Sequence, residues 1–183
     1  EDIPSATPVF TITYVGTIAA YYQPEVFFQA VKQLISKYPD APVRLLFVGV
    51  VPPDMFNSIE AHGLADIWDY KTYVPHAEAV AYMKKATVLL LVNPVTADEE
   101  MVIPGKLYEY MASKRPVINI TSLKSETAAI IARCNAGRTF DRSMLAPLAD
   151  YLEGLLLQGL DKGAVVQDFN EEAIAGYSQR AIA

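Results

Sequence analysis

The sequence predicts an α/β domain in which helices cover both faces of a six-stranded parallel sheet, giving three layers. Strand-like and helix-like segments alternate along the chain, which is typical of right-handed βαβ units. The strand segments are nearly continuous in apolar residues, as in 88–92, which indicates burial on both faces. We expect the strand order 3-2-1-4-5-6, because it is the commonest order for six strands in such folds.

The first half of the chain alternates between four strands and three helices. In the first helix, Phe27, Val31 and Leu34 recur at helical spacing, and Pro24 suits a first turn. Gly63 is typical of a helix end. In chain order, the predicted elements are strand 10–15, helix 24–38, strand 43–48, helix 53–62, strand 67–74, helix 77–85 and strand 87–92.

The second half continues the alternation after a loop at 93–104. Asn170 is expected to cap the last helix, because Glu171 and Glu172 follow it and negative charge suits a first turn. Residues 1–8 predict a linker, and 9–183 the domain itself. The predicted elements are helix 105–113, strand 116–120, helix 127–134, strand 137–140, helix 144–157 and the final helix after 170.

Composition excludes several classes of protein. The net charge of −6 argues against binding to nucleic acid, which needs clustered Lys and Arg. No apolar run approaches the roughly 20 residues that span a bilayer. A single cysteine, Cys134, forms no internal disulfide, so we expect a cytoplasmic protein. Because the chain begins at Glu1 without a methionine, we expect it to be part of a longer protein.

A ligand site is predicted where the strand order reverses, between the first and fourth strands. There the turn at 16–17 faces the loop at 93–104. A helix that begins at Gly105 offers free amides to phosphate, and Lys106 adds a cation at the same end. Glu109, one turn further, is placed to accept hydrogen bonds from a ribose diol.

A second interpretation of each feature stays open at this point. Lys106 and Glu109 are also spaced to form an exposed ion pair of little energetic weight. Gly16 and Gly49, which follow strands, are equally compatible with simple chain turns. The sequence contains neither GxGxxG nor GxxxxGK[ST], which argues against a dinucleotide fold and a P-loop.

The stretch 103–118, IPGKLYEYMASKRPVI, resembles the sugar-nucleotide motif of the group 1 (family 4) retaining glycosyltransferases, P-x-K-L-x-E-Y-M-A-x-x-x-P-V. YVGT at 14–17, LFVG at 46–49, YVPH at 73–76 and ATVLLL at 86–91 fit the same family in order and spacing. The resemblance covers about residues 10–180. It implies the Rossmann-like C-terminal domain of the two-domain GT-B fold.

The resemblance assigns roles to residues of that stretch. Glu109 matches the second glutamate of a paired-glutamate motif, which binds the donor ribose. Gly105, Lys106 and Leu107 match the segment whose backbone faces the donor phosphates, and Lys106 is a candidate for stabilising the leaving group. No other catalytic residue is predicted.

The remaining predicted binding residues come from three strand ends. Gly16 and Thr17 match the glycine turn beside the diphosphate. Gly49, at the end of the second strand, is predicted to bind the nucleotide sugar as well. Val74 and Pro75 match the loop that edges the nucleobase.

The resemblance also implies the reaction and its partners. A hexose would pass from a nucleoside-diphosphate sugar to an acceptor with retention, in surface polysaccharide or glycolipid synthesis, without a metal or other cofactor. The acceptor-binding N-terminal domain is absent, so we expect the chain alone to be inactive. Attachment of the whole protein to the inner face of the membrane through that domain is an open alternative.

The chain departs from the family pattern at two places. Met101 stands where the first glutamate is expected, with Glu99 and Glu100 out of register. No basic residue follows the first glycine turn in 17–24. Two rival functions follow: a degenerate nucleotide-binding or scaffold module, and a sugar-nucleotide epimerase of the same architecture.

Three further features receive modest predictions. The acidic segment 98–100 is expected to be a solvated loop rather than a metal site. His76 is expected to be a capping or solvated residue. Tyr21 and Tyr22 are candidates for stacking on the donor or contacting another domain.

Overall fold

The computed structural model describes residues 8–180, without the side chains of residue 20 and of 178–180. The predicted linker therefore lies outside the described residues except for Pro8, as do residues 181–183 of the predicted domain. Six parallel strands form one sheet in the order β3-β2-β1-β4-β5-β6, which confirms the predicted fold and strand order.

The described elements follow one another with short connections. The strands are β1 Phe10–Thr17, β2 Val43–Val50, β3 Trp68–Lys71, β4 Val88–Val92, β5 Val117–Ile120 and β6 Gly137–Phe140. The helices are α1 Glu25–Lys37, α2 Pro53–Ala61, α3 His76–Lys85, α4 Lys106–Ala112, α5 Glu126–Arg133, α6 Leu145–Lys162 and α7 Glu171–Arg180. Short 3-10 turns occupy Ala20–Tyr22, Ala65–Ile67 and Glu99–Met101.

Two apolar clusters, one on each face of the sheet, hold the layers together. Successive side chains of a strand point to opposite faces. Ile12 and Tyr14 of β1 therefore pack with α1, α2 and α6, whereas Val15 packs with α3, α4, α5 and α7. The central strand β4 is buried at every position, as its continuous apolar run predicted.

Most elements lie within two residues of their predicted lengths, and β3 and α6 differ most. β3 is only four residues long instead of eight, because it lies at the sheet edge, pairs with β2 alone and is followed by Pro75 at the start of α3. α6 continues to Lys162 and ends at Gly163, which adopts the left-handed conformation that glycine favours. The predicted Asn170 cap is confirmed, since its side-chain oxygen accepts the Ala173 amide at 3.1 Å.

A pair of glycines opens the carboxyl edge of the sheet. Gly16 and Gly49 are register partners at the ends of β1 and β2, with φ of 125° and 127°. A Cβ on Gly49 would lie 2.3 Å from the Gly16 carbonyl oxygen, and a Cβ on Gly16 would lie 2.7 Å from Lys106 Nζ. Both positions therefore need glycine because a side chain would collide there, and not only because the chain turns. None of the helices in the described part of the chain is long and apolar enough to cross a lipid bilayer.

Candidate functional site

A cavity of about 320 Å³ lies at the carboxyl edge of the sheet. The turn at 16–17 lines it as predicted, but no residue of the 93–104 loop does, so the crevice predicted between the first and fourth strands is displaced toward β2 and α3. The ends of β1 and β2 form its floor, and the segments leading into α3 and α4 form its sides. Val50, Ala79 and Met83 contribute an apolar wall. The cavity is lined by six of the predicted site residues: Gly16, Thr17, Gly49, Val74, Lys106 and Glu109. Tyr73 and His76 line it as well.

Lys106 supplies the cavity with a cation that has no carboxylate partner. Its Nζ donates to the Tyr14 hydroxyl at 2.6 Å and makes no salt bridge with any described acidic residue. A Cβ on Gly16 would lie 2.7 Å from this Nζ, so the missing side chain makes room for the ammonium. Burial lowers the pKa of Lys106 to about 8. Lys106 therefore brings into the cavity an ammonium group that no carboxylate contacts, although the Glu109 carboxylate lines the same cavity.

The start of α4 offers fewer free amides than the sequence predicted. The Leu107 amide donates to the Pro104 carbonyl at 2.9 Å, and the Tyr108 amide to the Gly105 carbonyl at 3.3 Å. Among the described residues, the amides of Gly105 and Lys106 have no partner, and Gly105 is exposed. Leu107 thus contributes a fully buried side chain rather than a free amide.

Glu109 faces the cavity from α4 and contacts the start of α3. Its Oε1 lies 2.5 Å from His76 Nε2, and the two side chains are 40% and 74% exposed. His76 is solvated as predicted, but its contact with Glu109 was not predicted. Lys106 donates to the Tyr14 hydroxyl and not to Glu109, so the exposed Lys106–Glu109 ion pair that the spacing allowed is not present.

Several predicted residues lie elsewhere. Pro75 is exposed and precedes α3 without lining the cavity, although its neighbour Val74 does. Met101 is 76% exposed and also lies outside the lining. Tyr21 and Tyr22 pack against each other with ring centroids 5.1 Å apart, away from the cavity lining.

The acidic segment is bound to neighbours, so the prediction of a solvated loop is wrong for Glu99. Glu99 Oε1 accepts from Arg142 at 2.7 Å and from the Thr121 hydroxyl at 2.9 Å, and Glu100 accepts from Ser122. Arg142 also donates to the Asn93 carbonyl at 2.7 Å. Within residues 8–180, no group of three His, Cys, Asp or Glu side chains is arranged to hold a metal ion.

Sequence reasoning missed two buried tyrosines that build the site. Tyr110 is fully buried, and its hydroxyl accepts the Val15 amide at 2.9 Å, which ties α4 to the end of β1. Tyr14 is 1% exposed and bonds to Lys106. The available signal was a tyrosine inside an apolar element, because a buried phenol hydroxyl normally needs a partner.

Comparison with known proteins identifies similar chains. The family model described as "Glycosyl transferases group 1" matches residues 9–158. A search of curated proteins finds no match to this chain. Among solved structures, the apo form of the lipopolysaccharide outer core galactosyltransferase WaaB has a TM-score of 0.65 and 16% identity, over 97% of this chain and 46% of that one.

Two further solved structures share the fold. The C-terminal domain of LpcC, a glycosyl transferase group 1 family protein from Francisella tularensis, has a TM-score of 0.58 and 18% identity, over 81% of this chain and 75% of that one. Anabaena HepE in complex with UDP and glucose has a TM-score of 0.58 and 11% identity, over 84% and 39%. The chain therefore spans less than half the length of WaaB and of HepE.

Proposed function

Because the family model covers most of its length, the chain belongs to the group 1 glycosyltransferases, and we propose that it is the domain that binds the nucleotide-sugar donor. The single observation that carries this proposal is the Lys106 ammonium, held without a carboxylate partner beside the Gly16 turn. A donor diphosphate is the anion that such a cavity suits, since charge-assisted bonds to phosphate are strong.

The two ends of the cavity fit the two ends of a nucleoside diphosphate. Lys106, which lines the cavity, would bind the phosphates, together with the unpaired amides of Gly105 and Lys106 at the start of α4; Gly105 itself lies outside the lining. Glu109 is one helical turn away and accepts from the ribose hydroxyls in place of His76. The apolar wall of Val50 and Met83 suits the flat faces of a base.

Transfer of the sugar follows from this placement. As the bond between sugar and diphosphate breaks, negative charge develops on the departing diphosphate. A cation already held at that position stabilises the transition state more than the ground state, which accelerates the reaction. We propose that Lys106 has this role, that no metal is needed, and that transfer proceeds with retention of the anomeric configuration.

Transfer also requires residues that bind the acceptor, and none of the residues that line the cavity is assigned that role. We propose that a second, acceptor-binding domain closes the cavity and that this chain alone does not turn over. The neighbours WaaB and HepE are longer than this chain, and HepE is described with UDP and glucose bound. A hexose donor, an acceptor in surface polysaccharide or glycolipid synthesis, and a cytoplasmic location are part of the same proposal.

Calorimetric titration of the 183-residue chain with UDP, GDP and ADP, in the presence of EDTA, tests the donor-binding role. Saturable heat with at least one nucleotide is expected, and it should disappear when Lys106 is replaced by Met. A chain that binds none of the three at millimolar concentration would contradict the proposal.

That negative result would favour the scaffold alternative, for which the structure offers one specific observation. Glu99, which lies two positions before Met101, is held by Arg142 and Thr121. It is therefore not free to replace the family's first glutamate. The group 1 family match favours either of these functions over an epimerase.

A further inference from the structure

The Tyr14 hydroxyl lies between a backbone carbonyl and the Lys106 ammonium. It donates its proton to the Thr17 carbonyl at 2.6 Å and accepts from Lys106 Nζ at 2.6 Å. A phenol has one proton to donate. Because the phenol hydrogen is already donated to the Thr17 carbonyl, the phenol oxygen can only accept a hydrogen bond from Lys106.

The ring that carries this hydroxyl is fixed in the core. Tyr14 is 1% exposed and packs against Phe47, with ring centroids 6.2 Å apart. Burial raises the pKa of Tyr14 far above its ordinary value, so the hydroxyl is neutral at pH 7 and well above it. Lys106, in contrast, carries its charge on a flexible four-carbon stem that readily turns toward water.

We propose that Tyr14 is a positioning residue that holds the Lys106 ammonium against the Gly16–Thr17 turn and thereby preforms the anion site. The identity of the anion as a nucleoside diphosphate rests on the proposed function, but the positioning itself does not. The same hydroxyl also donates to the Thr17 carbonyl, which ties the phenol to that turn.

The proposal makes an unusual combination of effects expected in Tyr14→Phe. Tyr14→Phe keeps the ring, whose centroid lies 4.1 Å from Lys106 Nζ, but removes the oxygen that accepts from the ammonium. Without that acceptor, the ammonium should leave the poorly solvated position and turn toward solvent. Its pKa should then rise from about 8 toward the ordinary 10.5, so that Lys106 is charged over a wider pH range. Affinity for UDP should nevertheless fall by about tenfold at pH 7, as expected for a lost charge-assisted bond network. If Lys106 is charged over a wider pH range and UDP nevertheless binds more weakly, the loss of affinity comes from the position of the ammonium and not from its charge.

Tyr110 provides a matched control. It is also a fully buried tyrosine near the end of β1, but its hydroxyl bonds to the Val15 backbone and not to Lys106. Tyr110→Phe removes the same atom from a buried tyrosine that packs in the apolar cluster on the other face of the sheet. It should lower the unfolding temperature while leaving the titration midpoint of Lys106 unchanged.

The experiment is an NMR titration of the lysine side chains of the 183-residue chain, without ligand, in the native protein and both variants. A raised Lys106 midpoint in Tyr14→Phe only is expected; a midpoint at or below the native one would overturn the proposal. If Tyr14→Phe does not fold, the Tyr14 ring carbon that bears the hydroxyl is followed in the native chain. It should shift with the Lys106 midpoint, and the absence of that shift would also overturn the proposal.

Binding measurements with UDP, GDP, ADP and inorganic pyrophosphate separate this inference from the proposed function. If the native chain binds none of them, donor binding fails, yet the ligand-free titration still decides the role of Tyr14. If the native chain binds UDP and Tyr14→Phe binds it equally well, donor binding stands and the positioning role is wrong.

Discussion

Replacing Lys106 with Met should make the domain more stable while it loses nucleotide binding. The native side chain is partly buried, and its pKa falls from 10.5 to about 8 because burial penalises the charged form. Each unit of pKa shift corresponds to about 1.4 kcal/mol, so the upper limit of the gain is about 3 kcal/mol. Partial solvation and the lost bond to Tyr14 reduce the expected gain to about 1–2 kcal/mol.

The gain should depend on pH with a defined sign. Below pH 8, Lys106 is protonated in both the folded and the unfolded chain, so the cost of burying the charge is fully present. Between about pH 8 and 10.5, the unfolded chain binds a proton that the folded chain does not, so native stability rises with pH. Met has no such dependence. The stability difference between Lys106→Met and the native chain should therefore shrink across this window.

Thermal unfolding at pH 7 and pH 10, with UDP calorimetry at pH 7, measures both effects. For a domain of this size, 1 kcal/mol corresponds to about 2–4 °C, so a rise of roughly 2–8 °C is expected at pH 7. Lys124→Met is the control, because Lys124 is exposed and should change stability by less than about 0.5 kcal/mol. A Lys106→Met chain that is less stable than native at pH 7, or a difference that does not change with pH, would refute the reasoning.

Two further substitutions test the ribose contact and the glycine turns. Glu109→Gln should weaken UDP binding about tenfold or more in calorimetry, because it removes the charged acceptor of the ribose hydrogen bonds. It should leave the unfolding temperature almost unchanged, because the contact of Glu109 with His76 is exposed. Equal affinity of the variant and the native chain would count against the ribose role. Gly49→Ala should cost about 2–4 kcal/mol by denaturant unfolding, because the new Cβ would lie 2.3 Å from the Gly16 oxygen at a φ of 127°. Gly154→Ala, in α6 with no atom within 4 Å of the new Cβ, should instead stabilise by about 0.5–1 kcal/mol. Similar effects of the two alanines would show that the turn is not constrained as described.

The sequence by itself determined the layers of the fold and the family. Apolar runs, helical spacing and capping residues predicted the six strands and seven α-helices of the described residues but not the short 3-10 turns, since burial on one or both faces of an element leaves a local pattern. Glycines at the ends of β1 and β2 marked the carboxyl edge, and the stretch around Lys106 identified the family. The shortened β3 was not predictable, because its length depends on having a single neighbour, β2, at the sheet edge.

Only the tertiary structure decided which partner each functional side chain has. Lys106 bonds to a tyrosine 92 positions away, Glu109 to a histidine 33 positions away, and Glu99 to Arg142, 43 positions away. Local spacing left open whether Lys106 and Glu109 pair with each other or face a ligand. Sequence patterns record neighbours along a helix or strand, whereas the charge and hydrogen bonding of a cavity depend on groups that the fold brings together from distant segments.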